Sequence, residues 1–261
     1  MLSTSFLPGA PNWVDLGTPD TDAAAAFYGA LFGWQFQSAG PDAGGYGMFI
    51  KDGKTVAAAG PLSQPGAAPS WTLYFYAPDA DAAADAVRKA GGTVRAEPMD
   101  IGAEGRMAQF SDPAGAEFAV WQPGQTTGLQ AVNDPGTLCW TELHTPDAAA
   151  GAGFYESVFG WVGEGMPMGD FSYTVLRPAA GDDSSGHGGI MPISPAMAAG
   201  GAPAQWWPYF EVADCDATLT ESISQGGTVL VAVQHIPGVG RFAMLADPAG
   251  APFAIITSSS S

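Results

Sequence analysis

The pattern of apolar and polar residues near the start of the chain predicts a strand followed by a helix. Residues 13–16 predict a short strand, and apolar residues then recur at helical intervals over 23–31. Between them, Thr-Pro-Asp at 18–20 predicts the helix start, with the Thr18 hydroxyl accepting from the free amides of the first turn. Gly33 is placed to end the helix in a left-handed conformation.

A second strand–helix–strand pattern follows before residue 122. The aromatic run at 71–76 favours a strand, and a helix is predicted from near Asp79 to Gly91. Asp-Pro-Ala-Gly at 112–115 has turn chemistry. Further strands are predicted at 93–96, 106–110 and 117–121.

The whole succession then repeats. WVDLGTPD (13–20) and FYGALFGW (27–34) recur, at one constant offset, as WTELHTPD (140–147) and FYESVFGW (154–161). The segments 91–106 and 112–122 recur at a larger offset, at 226–241 and 247–257. The second copy therefore carries a net insertion of eight residues, which we place in the Gly/Ser/Asp stretch 177–189.

The repeat predicts two domains and a fold class. The first domain covers 1–122, a Pro/Gly-containing linker covers 123–136, and the second domain covers 137–261. Each copy follows a βαβββ pattern. We expect an α+β protein of tandem βαβββ modules, with helices covering one face of each sheet.

Composition narrows the range of partners. Eight basic and 26 acidic residues give a net charge of −18, which repels nucleic acid and anionic lipid and favours neutral or cationic small molecules. No apolar run approaches the roughly 20 residues of a membrane span, and residues 1–13 contain no basic n-region, so we expect neither a membrane span nor a targeting leader. Cys139 and Cys215 occupy unrelated places in the two copies, which predicts reduced thiols and a cytoplasmic protein.

The ordered set of motifs resembles the vicinal oxygen chelate superfamily (glyoxalase, bleomycin resistance, dioxygenase). The resemblance covers 11–122 and 137–257 and rests on the full series occurring twice, since a DPAG turn alone is weak. It implies curved mixed sheets that form cup-like clefts, with helices on the outer face. In metal-dependent members it also implies a ligand set of His, His or Gln, and Glu on the first strand, the strand before the second helix, and the last strand.

This sequence departs from that ligand set. The first-strand position falls on Trp13 and Trp140, the last-strand position on Ala119 and Ala254, and the middle position, within one residue, on Thr72 and Trp207. Indole and methyl groups supply no metal donors. His144 with Glu142 offers only two donors on one strand. We therefore predict neither a metal nor another cofactor.

Strand alternation identifies the side chains expected to face the cups. Aromatic walls with a few carboxylates suit a flat or amphipathic organic ligand or a cation. Rings that fill the cups and leave no cavity are the alternative. The predicted ligand-binding residues are Trp13, Thr72, Tyr74, Tyr76, Trp121, Trp140, Trp207, Tyr209 and Glu211.

Three residues are candidates for acid–base chemistry. Asp15 and Glu142 occupy equivalent positions, and His144 lies two residues after Glu142 on one strand face. The same carboxylates also suit a structural role, bonded to backbone or tyrosine hydroxyl groups. Two functions stay open. One is metal-independent binding of a small aromatic or amphipathic metabolite for sequestration, carriage or self-resistance. The other is a hydroxylase, lyase or dioxygenase-like enzyme that uses these three residues as acid and base, or an unrecognised metal site. Either fits a monomer or a homodimer.

Overall fold

A computed structural model of the chain describes residues 1–62, 64 and 66–259. The elements of the first repeat are β1 Pro11–Thr18, α1 Thr21–Phe32, β2 Gln35–Ser38, β3 Gly47–Lys51, β4 Lys54–Pro61, β5 Ser70–Tyr76, α2 Ala80–Lys89, β6 Thr93–Ile101, β7 Gly105–Ser111 and β8 Glu117–Pro123. Those of the second are β9 Leu138–Thr145, α3 Ala148–Phe159, β10 Val162–Met168, β11 Phe171–Arg177, β12 Gly188–Pro192, α4 Pro195–Ala199, β13 Gln205–Glu211, α5 Cys215–Ser224, β14 Thr228–Ile236, β15 Gly240–Ala246 and β16 Pro252–Ser258.

The α+β class with mixed sheets is confirmed, and each repeat contains the βαβββ succession twice. The strands form two eight-stranded sheets, ordered β2-β3-β4-β1-β5-β8-β7-β6 and β10-β11-β12-β9-β13-β16-β15-β14. The sequence did not reveal β2, β3 and β4. The first of these is only four residues long, and β4 contains the run Ala57 to Ala59, which has little intrinsic strand preference.

The caps of the first helix differ from the prediction at one end. Asp20, not Thr18, is the N-cap of α1, because its carboxylate accepts the backbone N–H of Ala23 at 2.9 Å. Thr18 still belongs to β1 and ends the strand. The predicted stop is confirmed, since Gly33 adopts φ 72° and its N–H bonds to the Gly29 carbonyl.

The chain folds into two compact units, and each unit combines about half of the first repeat with about half of the second. One unit, called the Tyr28 unit, comprises Val14–Thr72, Leu129–Cys139 and Pro208–Ser261. Its core is an aromatic cluster around the fully buried Tyr28. The Tyr28 hydroxyl accepts from the Trp71 indole at 3.0 Å and donates to Asp247 at 3.1 Å.

The other unit, called the Tyr155 unit, comprises Met1–Trp13, Leu73–Gly128 and Trp140–Trp207. Tyr155 takes the place of Tyr28: its hydroxyl accepts from the Trp206 indole at 2.8 Å and donates to Asp112 at 3.3 Å. Burial raises the pKa of Tyr155 well above its usual value, so the hydroxyl keeps its proton. In each unit, hydrogen bonds therefore join a tyrosine of an FY motif, a tryptophan of an aromatic strand and the aspartate of a DPAG turn. We call each of these sets a relay.

The recurring arginines make ion pairs with the helices. Arg106 bonds to Asp81 and Asp100, and Arg241 bonds to Asp216, which is the equivalent of Asp81. All three carboxylates are well exposed, so solvent screens these ion pairs and each contributes little to stability. Each arginine therefore joins a strand to the first turn of a helix.

Both cysteines are free thiols, as predicted. Cys215 is buried, and burial raises the pKa of its thiol to about 11. Within the described part of the chain, no helix is long and apolar enough to cross a membrane.

Candidate functional site

Four side chains of the second repeat form one hydrogen-bonded series within the Tyr155 unit. The Trp140 indole donates to the Tyr173 hydroxyl at 2.9 Å, and that hydroxyl donates to Glu142 Oε2 at 2.8 Å. Glu142 Oε1 lies 2.7 Å from His144 Nε2. We call these four residues the Glu142 network. Its polar end is nearly enclosed, because the Glu142 and His144 side chains are 10% and 14% exposed.

Strand alternation on β9 brings three members of the network to one face. The intervening Thr141 and Leu143 are fully buried on the opposite face. Tyr173 reaches the carboxylate from β11 across β12, where Gly189 lies beside Glu142. A Cβ atom at Gly189 would overlap the Tyr173 ring, so this position admits only glycine in the observed arrangement.

The electrostatics fix the direction of the hydrogen bonds. Burial, reinforced by the neighbouring Glu142 charge, raises the pKa of Tyr173 well above its usual value. Tyr173 therefore stays protonated and donates to the carboxylate. A carboxylate only accepts hydrogen bonds, so the proton of the Glu142–His144 hydrogen bond is on Nε2 of the imidazole. In the neutral form of the ring the lone pair is then on Nδ1, which bonds to no described residue.

Trp207 adds a donor beside this series. Its ring centroid lies 5.5 Å from that of His144 at an interplanar angle of 40°. The Trp207 indole N–H is buried and has no hydrogen-bond partner among the described residues. A buried unpaired donor of this kind costs about 1–3 kcal/mol. The surroundings of His144 thus combine a lone pair and an unsatisfied N–H.

The first repeat holds a reduced counterpart in the Tyr28 unit. The Tyr46 hydroxyl donates to Asp15 at 3.2 Å, and Tyr46 is the equivalent of Tyr173 at the offset that relates Asp15 to Glu142. Gly17 occupies the position that corresponds to His144. Asp15 therefore has a tyrosine partner, as a structural carboxylate would, but no histidine beside it.

The remaining predicted residues have diverse surroundings. The Trp121 indole donates to the Thr126 carbonyl at 2.8 Å, and Glu211 accepts from the backbone and hydroxyl of Ser258. These contacts occupy the polar groups of both side chains. The rings of Trp13, Tyr74 and Tyr209 are buried, and Thr72 and Tyr76 are half-buried.

Two residues of interest escaped the sequence analysis. Tyr173 lies on a strand that was not predicted, although its equivalence to Tyr46 in the other repeat was a usable signal. His187 lies in the inserted stretch, fully buried against the rings of Phe75 and Trp161, and neither ring nitrogen has a partner among the described residues. Its sequence context of glycine and serine gave no sign of burial.

The burial of His187 predicts a loss of stability in mild acid. Desolvation, with a smaller effect of the N-terminal charge, lowers its pKa to about 3, whereas an unfolded histidine titrates near 6.5. The unfolded chain therefore binds a proton that the fold rejects, and the contribution of His187 is lost as the pH falls from 6.5 towards 3. From about pH 6.5 to about pH 5, we expect it to lower the free energy of unfolding by about 1.5 kcal/mol.

Urea denaturation of His187→Leu and wild type at both pH values measures this contribution. The variant should lose less stability than wild type between the two conditions, and His235→Asn, which alters an exposed histidine, should behave as wild type. An equal pH dependence in His187→Leu and wild type would refute the assignment.

The donor set of the network does not fit the metal site that the family resemblance implies. Oε1 of Glu142 and Nε2 of His144 face each other, which leaves few lone pairs available to an ion. Among the described residues, no group of three or more His, Cys, Asp or Glu side chains is arranged to hold a metal. Ala119 and Ala254, at the last-strand positions, lie beside Tyr74 and Tyr209.

Two open clefts lie elsewhere. One, of about 300 Å³, is lined in the Tyr28 unit by residues of the α1 end and the α5 start. The other, of about 290 Å³, is lined in the Tyr155 unit by equivalent residues of α2 and α3. Neither contains a member of the Glu142 network. The lining of these clefts brings together no set of polar groups comparable to the network, so the network is the candidate functional site.

Comparisons with known proteins agree with the repeated motifs. The model of the Glyoxalase/Bleomycin resistance protein/Dioxygenase superfamily matches residues 10–120. "Putative glyoxylase CFP32" of Mycobacterium tuberculosis (strain CDC 1551 / Oshkosh) is 39% identical over 259 residues, covering 97% of this chain and 96% of the relative. "Anthracycline biosynthesis protein DnrV" of Streptomyces peucetius is 40% identical over 271 residues, covering 97% and 94%.

Solved structures share the fold at low sequence identity. The Mn(II)-bound glyoxalase from Novosphingobium aromaticivorans has a TM-score of 0.63 at 20% identity, covering 96% of this chain and 83% of that one. The 2,3-dioxygenase LapB from Pseudomonas sp. KL28 has a TM-score of 0.62 at 14% identity, covering 97% and 94%. The predicted resemblance is confirmed, and the chain belongs to the glyoxalase/bleomycin resistance protein/dioxygenase superfamily.

Proposed function

We propose that the second repeat binds a small, flat, neutral or cationic organic molecule without a metal ion, through a polar group that meets Trp207 and His144. The unpaired indole N–H of Trp207 carries the proposal. Beside it, the His144 Nδ1 lone pair is the complementary acceptor. A ligand hydroxyl accepts from the Trp207 N–H and donates to His144 Nδ1, so both protein groups gain a hydrogen-bond partner.

Charge and relatives support the same ligand class. A net charge of −18 disfavours anions by its long-range field. The name of the Streptomyces peucetius relative assigns that protein to anthracycline biosynthesis, and we extend a role in small-molecule metabolism to this chain. The aromatic side chains Trp140 and Trp207 provide the apolar surface on which a flat ligand stacks. In the first repeat, we limit the role of Asp15 to structure or binding.

Calorimetric titration with 2-naphthol, a flat neutral phenol, tests the proposal. Wild-type protein dialysed against chelator should bind it, and Trp207→Phe, which keeps a ring but removes the N–H, should bind it about tenfold more weakly. Trp121→Phe is the matched control, because that indole is already bonded to the Thr126 carbonyl. Unchanged affinity in Trp207→Phe, or no binding by wild type, would contradict the proposal.

The Glu142–His144 pair favours acid–base catalysis as a second candidate function. In the neutral ring Nδ1 of His144 is a base, and the carboxylate at 2.7 Å from Nε2 stabilises the charge that forms when Nδ1 takes a proton. The proton passes from a ligand O–H or C–H bond to Nδ1, and the electron pair of the broken bond remains on the ligand. General-base catalysis of this kind contributes about 10²–10⁴-fold to a rate.

A further inference from the structure

The hairpin beside the Glu142 network exposes apolar side chains that the protein's core does not use. Strands β10 and β11 continue past Tyr173 to a tight turn at Gly169 and Asp170. On this extension Met166 is 48% exposed and Phe171 is 39% exposed. A surface-edge hairpin ordinarily carries polar or charged residues, because exposed apolar edges promote aggregation.

The register places these side chains on the face that carries the network. Met166 pairs directly with Tyr173, and Met168 pairs with Phe171. Directly paired residues of antiparallel strands share a face, and so do residues two apart on one strand. Because the Tyr173 side chain reaches Glu142, Met166, Met168 and Phe171 lie on the Glu142 side of the sheet. We call these three residues the hairpin strip.

The first repeat has no such strip, although its segment has the same length. Ala39, Pro41 and Gly44 are the first-repeat equivalents of Met166, Met168 and Phe171. There β2 ends at Ser38, and a 3-10 turn at Pro41–Ala43 replaces the hairpin extension. The strip therefore occurs in the repeat that also has His144 and Trp207. This coincidence links the apolar surface to the polar site.

We propose that the hairpin strip is an apolar subsite for the hydrocarbon part of the molecule bound at Glu142, His144 and Trp207, so that the ligand class is an extended fused-ring compound with a polar group at one end. The inference rests on the proposed function. Residues two apart on a strand are separated by about 7 Å, so a ligand must extend about this far beyond Tyr173 to reach Phe171. A single ring with its hydroxyl at Trp207 makes little contact with the strip, whereas fused rings cover it.

Comparison of phenol with 2-naphthol in calorimetric titrations tests the subsite. In the double variant Met166→Ser/Phe171→Ser, the affinity for 2-naphthol should fall at least about fivefold while that for phenol stays within about twofold. Met99→Ser is the matched control, because Met99 is 49% exposed on another strand and should leave both affinities unchanged. Met166→Leu/Phe171→Leu, which keeps an apolar surface, should restore most of the 2-naphthol affinity.

The outcomes separate the two proposals. If wild type binds both phenols and the serine variant weakens both equally, or neither, the subsite is wrong while the proposed function stands. If the serine variant unfolds, the single variants Met166→Ala and Phe171→Ala, which remove the apolar contact without adding a polar group, decide the question. A loss of affinity specific to 2-naphthol supports the subsite, and unchanged affinities for phenol and 2-naphthol overturn it. If wild type binds no phenol, both proposals fail.

Discussion

Replacing Asp112 with alanine is expected to lower the free energy of unfolding by about 3–5 kcal/mol, because several buried groups lose their partner at once. Oδ1 of Asp112 accepts from the backbone N–H groups of Ala114 and Ala116 at 2.9 and 2.8 Å. Oδ2 accepts from Tyr155, whose hydroxyl in turn accepts from Trp206. Alanine leaves two backbone donors and a buried hydroxyl proton unsatisfied.

Urea denaturation followed by circular dichroism measures the loss. Asp247→Ala should give a loss of similar size, because Asp247 makes the same bonds in the Tyr28 unit. Asp42→Ala, which removes an exposed carboxylate, should stay within about 0.5 kcal/mol of wild type. A loss below about 1 kcal/mol in Asp112→Ala would show that the relay is not important for stability.

Replacing Glu142 with glutamine is expected to abolish the discrimination between a phenol and its methyl ether. In the proposed site 2-naphthol would donate to the His144 Nδ1 lone pair, and 2-methoxynaphthalene could not, so we expect wild type to bind the phenol about 10–30-fold more tightly. The carboxylate holds the Nε2–H tautomer of His144. A glutamine amide removes the negative charge that fixes this tautomer, so Nδ1 ceases to be a reliable acceptor.

Calorimetric titration with both compounds gives the ratio of affinities directly. In Glu142→Gln we expect the ratio to fall to about 1–3. Glu164→Gln, on the exposed strand β10, should keep the wild-type ratio. If Glu142→Gln discriminates as well as wild type does, the ligand hydroxyl does not donate to His144.

The features of the site that depend on strand alternation were the ones that the sequence predicted best. The period of two on β9 placed Trp140, Glu142 and His144 on one face, and their hydrogen bonds agree. Tyr173 could not be placed from local signals, because its contact with Glu142 depends on the pairing of β11, β12 and β9 and on the small size of Gly189. Strand order and register depend on contacts between segments that are distant in the sequence, so local sequence patterns do not determine them.

The motifs that recur most visibly proved to be structural. DPAG has the turn chemistry that the sequence indicates, and its aspartate also accepts the hydroxyl of Tyr28 or Tyr155. The predicted N-cap at Thr18 was wrong. The Asp20 carboxylate lies close enough to accept the Ala23 N–H, whereas Thr18 is the last residue of the strand. The unpaired indole of Trp207 and the buried His187 were beyond prediction, since both depend on what surrounds them in space.

The most direct test of a metal-free site in the second repeat is a crystal structure of chelator-treated protein soaked with 2-naphthol. We predict the naphthol hydroxyl within hydrogen-bonding distance of both Trp207 Nε1 and His144 Nδ1, with its second ring against Met166 and Phe171 and the Glu142–His144 bond intact. A ligand bound only elsewhere, or a metal ion that Glu142 and His144 retain through chelation, would contradict the account.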